Sequence, residues 1–388
     1  MLSKKKSIAV LGSTGSIGKS AIKILEKHSS YFQIDLIACN SNKKHIYKQI
    51  NKFLPKFVII NNLNTYNFFK NKKFKKKINF FYKINNFTKF NKHKFDKVIL
   101  GISSINGLDY AFSFLQFTKT LLIANKETIV CGGKFFLNEA KKYNTKIVSI
   151  DSEHYCLNSI INYFNSNEIS KVYLTASGGP FLNKNISQIS KIDPKYALKH
   201  PRWKMGKKIS IDSSTMANKG LEIMEASILF NLKPENIKIK IHQESKVHSI
   251  IVLKNGLCHL VAHNTSMHIP IENSLLDKNI STVTNNFFII KKNFNLSFDE
   301  IKLKKFKMLP LAYKALKLGP RGCIFYNVVN DILVEMYINK RIFYYQIYNI
   351  LKNIIKKKKL INYFKKKIKN INDIYETINY AKTFIPKI

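Results

Sequence analysis

One stretch of the chain concentrates side chains that could bind a small phosphorylated molecule. Residues 200–226, HPRWKMGKKISIDSSTMANKGLEIMEA, contain the only tryptophan, Trp203, and one of only three arginines, Arg202. They also contain hydroxyl, amide and ammonium groups, which together suit a phosphate. Glu222 and Glu225 follow, and a carboxylate beside a phosphate site suggests that a metal ion binds there as well.

A second group of acids, Asp151-Ser152-Glu153, ends the β-type run KIVSI. Residues two apart in an extended segment face the same side, so the carboxylates of Asp151 and Glu153 can converge on one ion. With Glu222 they predict a three-carboxylate site, which suits Mg²⁺ or Mn²⁺ rather than zinc. The alternative is a solvated acidic loop. Acids are scarce, at 23 of 388 residues, and this scarcity favours the metal site.

A glycine-rich turn, Gly12–Gly18 (GSTGSIG), lies between a β-type run and the helical pattern KSAIKILEK. Such a turn lets backbone N–H groups approach a pyrophosphate at the start of a helix, and so predicts a dinucleotide site. A plain tight turn is the alternative. A P-loop is disfavoured because it requires glycine where Ser13 stands.

The tip of the second predicted strand indicates which dinucleotide binds. It reads Asn40-Ser41-Asn42-Lys43-Lys44, where an NAD enzyme usually places an acid for the ribose 2′-hydroxyl. Asp35 lies mid-strand and is too early for that role. Polar and cationic residues at the tip suit a 2′-phosphate, so NADP is predicted rather than NAD.

Two further segments could contact a ligand. Ser177-Gly178-Gly179-Pro180 follows the run KVYLTA and offers a hydroxyl and a flexible backbone, although by itself it is only a turn. Trp203 could be a core anchor. Its polar, Pro- and Gly-bearing surroundings instead favour an exposed indole on a mobile loop, residues 200–206, which would close over the substrate.

The elements that must position these residues can be predicted from the apolar pattern. In the first 150 residues short β-type runs alternate with helical stretches, which predicts a doubly wound parallel sheet of Rossmann-like type. The runs are Ser7–Leu11, Gln33–Ala38, Phe57–Ile60, Lys97–Gly101, Thr120–Ala124 and Lys146–Ile150. Residues 61–96, rich in Lys, Asn and Phe, are predicted to be a degraded crossover region plus loop.

The later part of the chain has a different pattern of apolar runs and loops. We predict an NADPH-binding domain at 1–150, an α+β catalytic domain at 151–276, a linker at 277–305 and a C-terminal helical bundle at 306–388. Strands of the catalytic domain are predicted at Lys171–Thr175, Lys238–His242, Ser249–Leu253 and Leu257–Val261. The fold class is therefore α/β with a helical C-terminus.

The net charge of +43 could indicate a nucleic-acid-binding protein, which remains an open alternative. Lysine supplies 63 of the 66 cations, however, and the chain is also enriched in Asn, Ile, Phe and Tyr. All have AT-rich codons, whereas nucleic-acid readers usually use arginine for bidentate contacts. We therefore expect weak polyanion binding but no specific nucleic-acid partner.

Composition also predicts the location of the protein. No apolar run approaches the roughly 20 residues of a membrane span, and the N-terminus has no room for a signal peptide. The five cysteines are odd in number, scattered and never in a CxxC pair. These features predict a protein of the reducing cytoplasm without disulfides or a zinc site.

Taken in order, the motifs of this chain resemble those of the 1-deoxy-D-xylulose 5-phosphate reductoisomerase family. They are GSTGSIG, ANKE at 124–127, DSEH at 151–154, ASGGPF at 176–181 and HPRWKMGKKISIDSSTMANKGLE. The resemblance covers nearly the whole chain. It implies a three-part homodimeric enzyme that uses NADPH and a divalent metal. The enzyme would rearrange and reduce 1-deoxy-D-xylulose 5-phosphate to 2-C-methyl-D-erythritol 4-phosphate for isoprenoid precursor synthesis.

The resemblance also implies roles for individual residues. The metal ligands would be Asp151, Glu153 and Glu222, and these would act in catalysis together with Lys126 and His200. Substrate contacts would come from Lys126, Ser152, Glu153, Ser177, His200, Trp203, Met205, Ser213, Asn218, Lys219 and Glu222. Within that set the phosphate pocket would be Ser177, Ser213, Asn218 and Lys219. The cofactor site would be Thr14, Gly15, Ser16, Ile17, Asn40, Ser41, Asn42, Asn125, Glu127 and Gly206.

Three segments depart from the family pattern: Asn40-Ser41 replaces a Gly-rich tip, Ser104 replaces a glycine, and Thr265–His268 replaces an acidic segment. None touches the proposed metal or phosphate ligands, so we expect at most a lower affinity. A simpler NADP-dependent sugar-phosphate dehydrogenase, which would reduce an unbranched substrate, is the alternative enzyme.

Overall fold

A computed structural model describes residues 5–203, 205–276, 288, 290 and 294–386. By their contacts the described residues fall into two compact units. Unit 1 takes its residues from the ranges 1–128, 136–151 and 267–283. Unit 2 takes its residues from the ranges 129–135, 152–266 and 284–388.

Unit 1 is built on a seven-stranded parallel sheet. Its strands are β1 (Lys6–Leu11), β2 (Phe32–Cys39), β3 (Phe57–Ile60), β4 (Asn79–Tyr82), β5 (Phe95–Leu100), β6 (Thr118–Ile123) and β7 (Lys146–Ser149). They pair in the order β4-β3-β2-β1-β5-β6-β7, all parallel. The order reverses between β1 and β5, and ligands of such sheets bind beyond the carboxyl ends of the strands at that point. The predicted doubly wound fold is confirmed.

The helices follow the predicted alternation. In chain order they are α1 (Ser16–Lys27), α2 (Lys43–Phe53), α3 (Leu63–Lys70), α4 (Lys83–Phe90), α5 (Leu108–Phe114), α6 (Lys126–Lys142), α7 (Ser152–Ile161), α8 (Ile186–Ile189), α9 (Pro194–Ala197), α10 (Lys207–Thr215), α11 (Ala217–Leu229), α12 (His268–Leu275), α13 (Met308–Lys317), α14 (Pro320–Ile338), α15 (Tyr344–Ile355), α16 (Lys358–Phe364) and α17 (Ile371–Lys382). Asparagine side chains begin several of them: Asn42, Asn62 and Asn125 each accept a bond from the N–H group three residues on. An N-cap of this kind satisfies a backbone donor that the helix itself leaves unpaired.

The stretch 61–96 forms more structure than the sequence predicted. It contains α3, then β4 at the edge of the sheet, then α4, rather than a crossover and loop. Phe69 and Phe87 are fully buried there, and Phe81 is nearly so. The surrounding lysines and asparagines dilute the apolar period, which is why the pattern did not reveal this strand.

Helix α12 belongs to unit 1, although the predicted boundary placed it in the catalytic domain. Ile271 and Leu275 are buried in the unit 1 core. The Lys97 ammonium donates to the carbonyl oxygens of Ser274 and Leu275, at 3.0 and 2.6 Å, and so caps the end of the helix. These contacts join residues far apart in the chain and leave no local signal.

Unit 2 contains a mixed sheet and most of the remaining helices. Its strands are β8 (Ile169–Ala176), β9 (Ile237–Ile241), β10 (Val247–Leu253), β11 (Cys258–Ala262) and β12 (Asp299–Glu300), in the order β11-β10-β8-β9-β12. Only β8 and β9 pair in parallel. Helices α13–α17 form the predicted helical C-terminus.

The predicted linker at 277–305 is only partly described. Residues 277–287, 289 and 291–293 lie outside the described residues. β12 lies within the predicted irregular segment and pairs with β9, so that part is regular. None of the described helices is both long and apolar enough to cross a membrane. All five cysteines are free thiols, and four of them are buried.

Candidate active site

Three carboxylates form what we call the carboxylate centre: Asp151, Glu153 and Glu222. Glu153 lies in the first turn of α7, Glu222 lies within α11, and Asp151 is bonded directly to the first residue of α7. One oxygen from each lies within 4.8 Å of the others, and Glu222 is buried. Carboxylates this close repel one another unless cations lie beside them. The donor set therefore fits Mg²⁺ or Mn²⁺, as the sequence predicted.

Ammonium groups lie beside these acids. Lys219 Nζ is 2.6 Å from both Glu153 Oε1 and Glu222 Oε2, and Lys126 Nζ is 2.8 Å from Asp151 Oδ2. The Asn218 amide donates to the second oxygen of Glu222 at 2.5 Å. Asn218 and Lys219, which were predicted to hold phosphate, therefore contact carboxylates in this structure.

His154, to which the sequence assigned no role, connects the two helices of the carboxylate centre. Its ring is fully buried, with Nε2 at 3.0 Å from the backbone oxygen of Glu222 and Nδ1 at 3.3 Å from Glu225 Oε2. The imidazole therefore ties α7, which carries Glu153, to α11. Only its position in the DSEH motif could have indicated this residue.

His200 connects the predicted lid to the end of β8. Its Nδ1 accepts the backbone N–H groups of Arg202 and Trp203, at 3.2 and 2.9 Å. Because Nδ1 is an acceptor, Nε2 carries the proton and donates to Ser177 Oγ at 3.0 Å. Burial, aided by the charge of Lys219, lowers the pKa of His200 to about 4, so the ring is neutral at pH 7.

Trp203 and Met205 are each half-buried, so the indole is neither a core anchor nor the exposed side chain that the sequence predicted. The indole ring lies 6.2 Å from the ring of His248, at an interplanar angle of 67°. Lys204, between them, lies outside the described residues. The closing motion that the sequence predicted for this loop stays a prediction.

The turn after β8 brings Ser177 towards α10, which carries Ser213. Gly178 and Gly179 have φ values of +89° and +66°, a region that favours glycine. A Cβ atom on Gly179 would lie 2.9 Å from the carbonyl oxygen of Ser213, so glycine also permits the close approach. Ser152, also predicted to contact substrate, is buried and donates to Glu153 Oε2 at 2.6 Å.

The nucleotide turn, Gly12–Gly18, joins β1 to α1 in unit 1. A Cβ atom on Gly18 would lie 2.2 Å from the carbonyl oxygen of Gly12, so only glycine fits there. Gly15 begins α1 without a side-chain cap, and Gly15 and Ser16 are exposed. The first N–H groups of α1 are therefore not capped by a side chain and suit a pyrophosphate, as the sequence predicted.

Gln49 braces this turn and was not anticipated. Its amide nitrogen donates to the backbone oxygen of Ser13 at 2.9 Å, and its amide oxygen accepts from Ser13 Oγ at 2.7 Å. Gln49 lies in α2, outside every motif identified in the sequence, so the spacing of residues gave no indication of its role. A buried amide that makes both bonds holds the turn in one shape.

The remaining predicted cofactor residues differ in what their side chains contact. Asn40, Ser41 and Asn42 are exposed at the end of β2, and Asn42 caps α2. Asn125 is buried; its amide group donates to the carbonyl oxygens of Ile102 and Ser104, at 2.5 and 2.6 Å, while its oxygen caps α6. Asn125 thus holds loops that would carry the cofactor.

Two further predicted residues can be placed. Glu127 is nearly buried in the first turn of α6. Gly206 begins α10, with open space around the position of a Cβ atom. Their cofactor contacts stay predictions.

Comparison with known proteins bears directly on this arrangement. Family models match at residues 8–133 (1-deoxy-D-xylulose 5-phosphate reductoisomerase), 147–230 (its C-terminal domain) and 263–384 (DXP reductoisomerase C-terminal domain). A 1-deoxy-D-xylulose 5-phosphate reductoisomerase of Pelagibacter ubique is 37% identical, over 97% of both chains. That of Clostridium novyi is 35% identical, over 98% of both. The chain belongs to the 1-deoxy-D-xylulose 5-phosphate reductoisomerase family.

Solved structures of the family agree with this assignment. A reductoisomerase in complex with NADPH, fosmidomycin and magnesium superposes with a TM-score of 0.88 at 29% identity, covering 98% of this chain and 96% of that one. The enzyme from Zymomonas mobilis in complex with NADPH superposes with a TM-score of 0.86 at 26% identity, covering 98% of each chain. The likeness spans both units of this reductoisomerase family member.

Proposed function

We propose that this chain converts 1-deoxy-D-xylulose 5-phosphate to 2-C-methyl-D-erythritol 4-phosphate. NADPH would be the reductant, and Mg²⁺ or Mn²⁺ the metal. Full-length relatives of that name support the reaction, and the printed complexes of relatives support the cofactors. Within the molecule, the convergence of Asp151, Glu153 and Glu222 is the observation that carries the proposal.

The carboxylate centre would hold the metal. Bound there, Mg²⁺ or Mn²⁺ would supply a Lewis acid for the ketose carbonyl and a neighbouring hydroxyl. We assign to Lys219, Asn218, Ser177 and Ser213 the grip on the substrate phosphate. The Lys219 ammonium, which pairs with Glu153 and Glu222, carries the positive charge suited to that task.

The remaining residues would position the substrate and exclude water. Lys126 and Ser152 each contact a member of the carboxylate centre and would orient the reacting carbons. Neutral His200 holds the lid through the Arg202 and Trp203 N–H groups. With the lid closed, Trp203 and Met205 would cover the substrate during rearrangement to a branched aldehyde.

NADPH would bind at the nucleotide turn and supply the hydride that reduces the aldehyde. The proposed contacts are Thr14, Gly15, Ser16, Ile17, Asn40, Ser41, Asn42, Asn125, Glu127 and Gly206. Lys43 and Lys44 follow the tip of β2 and are exposed, which supports NADPH over NADH. The corresponding division is cofactor binding at 1–150 together with α12, catalysis at 151–266, a linker at 277–305 and a helical bundle at 306–388.

A homodimer in the cytoplasm would be the working form. Strand β11 lies at the edge of the unit 2 sheet, where Leu257 and Leu260 are 58% and 45% exposed. Residues 255–271 contain no Lys, Arg, Asp or Glu in a chain that is otherwise rich in lysine. An uncharged exposed edge invites pairing with another strand, and we propose a second copy as the partner. Sedimentation of a Leu260→Lys variant, expected to be monomeric, tests this arrangement.

A coupled assay tests the reaction. NADPH oxidation should require both 1-deoxy-D-xylulose 5-phosphate and Mg²⁺ or Mn²⁺, and NMR of the product should show a branched carbon skeleton. An unbranched product would identify a simpler sugar-phosphate dehydrogenase instead. Tight nucleic-acid binding that persists at physiological salt, without turnover, would contradict the proposal.

A further inference from the structure

A cavity of about 630 Å³ in unit 2 opens beside Ser177. Lys184, Lys199 and Arg202 line it together with the turn after β8, and no carboxylate is among its lining residues in the described part of the chain. Cations without a counter-charge favour an anionic ligand. Lysine is abundant throughout this protein, so its presence in the cavity says little about a ligand. The geometry of Arg202 is more informative.

Arg202 is anchored through one side of its guanidinium group. Its Nε donates to the carbonyl oxygen of Gln243 at 3.0 Å. Gln243 lies between β9 and β10, where Glu244 accepts the hydroxyl of Ser297 at 2.8 and 3.0 Å and His242 Nδ1 lies 2.8 Å from the Ser297 carbonyl oxygen. The residues on both sides of Gln243 are therefore held by Ser297, and the Gln243 carbonyl holds the Nε side of the guanidinium group.

The outer edge of that plane remains for a ligand. The structure gives the two Nη groups of Arg202 no hydrogen-bond partner among the residues it describes. Two parallel N–H donors on a fixed plane match two phosphate oxygens, whereas a lysine ammonium is a point charge without this geometry. Arg202 thus has an anchored side, and its two Nη groups remain for a ligand of the cavity that this residue lines.

The other two arginines of the chain can be compared with Arg202. Only three of the 66 cations are arginine. Arg321 is buried and donates through Nε, Nη1 and Nη2 to groups on three sides: the Lys366 carbonyl, Tyr363 and Thr377, and Asp373. A lysine could not make that set of bonds. Arg341 is exposed, with no side-chain bond among the described residues, and offers a matched control.

We infer that Arg202 binds the phosphate group of the substrate and contributes to the enzyme's preference for a phosphorylated ketose. Ser177 lines the same cavity and bonds His200, two residues before Arg202. The inference rests on the proposed function for the identity of the phosphate ester. The anion site itself rests only on the cavity and on the anchored guanidinium.

Binding of inorganic phosphate tests the anion site without turnover. Trp203 is the only tryptophan and follows Arg202 directly, so its fluorescence reports on the site. The midpoint of a phosphate titration should rise on the order of tenfold in Arg202→Lys, which loses the bidentate geometry, and further in Arg202→Gln, which also loses the charge. Arg341→Lys should titrate like the wild type. Equal midpoints in all four proteins, with unchanged thermal unfolding, would overturn the inference.

Kinetics then identify the phosphate that Arg202 contacts. In Arg202→Lys the KM for 1-deoxy-D-xylulose 5-phosphate should rise by the same factor as the midpoint of the phosphate titration. The kcat and the KM for NADPH should remain unchanged. A rise in the KM for NADPH alone would overturn the assignment to the substrate. If the wild type binds phosphate through Arg202 yet does not turn over the ketose, the proposed function fails and the anion site stands.

Discussion

The nucleotide turn and the carboxylate centre are built from different parts of the chain. The turn is made by backbone: Gly18 permits the close approach, and the first N–H groups of α1 lack a side-chain cap. The carboxylate centre is made by side chains, whose acids are matched by the Lys219 and Lys126 ammonium groups. A backbone site depends on glycine at fixed points and tolerates other changes, whereas a side-chain site depends on each functional group.

Two of the three departures from the family pattern agree with this difference. Asn40-Ser41 and Ser104 both follow strands of the unit 1 sheet, which also carries the nucleotide turn. No departure falls in the carboxylate centre. The departures have therefore left the acids of the carboxylate centre unchanged.

The largest expected effect comes from Glu222→Gln. The change removes one charge from the carboxylate centre while keeping the shape of a buried side chain. Turnover should fall by about a thousandfold or more, because a bound metal contributes several kcal/mol to the reaction and about 1.4 kcal/mol corresponds to tenfold. NADPH oxidation at saturating Mn²⁺ measures the loss, and Mn²⁺ titration measures metal affinity.

Glu335→Gln is the matched control, since Glu335 is an exposed acid elsewhere in unit 2. It should leave both readings unchanged, and both variants should unfold at the wild-type temperature within a few degrees. Undiminished turnover in Glu222→Gln would show that Glu222 is not a required metal ligand. The contrast between the backbone-built turn and the side-chain-built centre would then fail.

Much of the fold could be predicted from the sequence because the strands of a parallel sheet are continuous apolar runs. Six of the seven strands in the unit 1 sheet follow such runs. β4 was missed because NFFY lies among lysines and asparagines that hide its period. The placement of α12 was missed for another reason: Lys97, Glu272 and Leu275 act across long sequence separations.

The candidate site was predictable where residue type alone implies chemistry, as for the acids of the carboxylate centre. Residues that act through a neighbour were not predictable. Gln49 braces the nucleotide turn and His154 ties α7 to α11, yet a lone amide or imidazole is unremarkable in a sequence. Likewise, the buried, fully bonded amide of Asn125 could not be foreseen from a motif that marks it as a cofactor contact.

Gly18→Ala should affect the nucleotide turn and leave the carboxylate centre unchanged. The new methyl group would lie 2.2 Å from the Gly12 carbonyl oxygen, so the turn must shift. The KM for NADPH should rise by about tenfold, because overpacking costs about 1–3 kcal/mol. Gly15→Ala, whose methyl group would lie 3.3 Å from the same oxygen, should have a smaller effect.

Mn²⁺ affinity should be the same in both glycine variants and in the wild type. A Gly18→Ala enzyme with wild-type affinity for NADPH would show that the turn is not held by close backbone contact. Equal losses of NADPH and Mn²⁺ affinity would show that the two regions are not independent.

Acid should release the lid before it affects the nucleotide turn. Because the pKa of His200 in the folded protein is lowered to about 4, the unfolded chain binds a proton more readily as pH falls below about 6.5. The contribution of the neutral ring is therefore present above pH 6.5 and is lost as pH falls towards 4. Once protonated, Nδ1 can no longer accept the Arg202 and Trp203 N–H groups.

Trp203 fluorescence between pH 7 and pH 4 measures this release. The wild-type emission should shift to longer wavelength as the indole becomes solvated, while His200→Gln should show the shifted emission already at pH 7. NADPH affinity should change little over the same range. An unchanged spectrum at pH 4 in the wild type would exclude His200 as the group that holds the lid.

The smallest expected effect tests the tolerance of the backbone-built region directly. Ser104 follows β5 with a φ of +60°, a region that favours glycine, and its carbonyl accepts from Asn125. Ser104→Gly should stabilise the protein by about 0.5–1 kcal/mol. A non-glycine residue with this φ costs roughly 1–2 kcal/mol, which the change would relieve. Part of this gain is lost because glycine gives the unfolded chain more conformational freedom. Asn144→Gly is the control: Asn144 has a φ of +53°, but asparagine adopts this region more readily, so the change should be close to neutral. Equal effects at the two positions in urea unfolding would mean that Ser104 is not strained. A gain at Ser104 alone would mean that the backbone-built unit 1 carries a small, tolerated strain in the segment after β5.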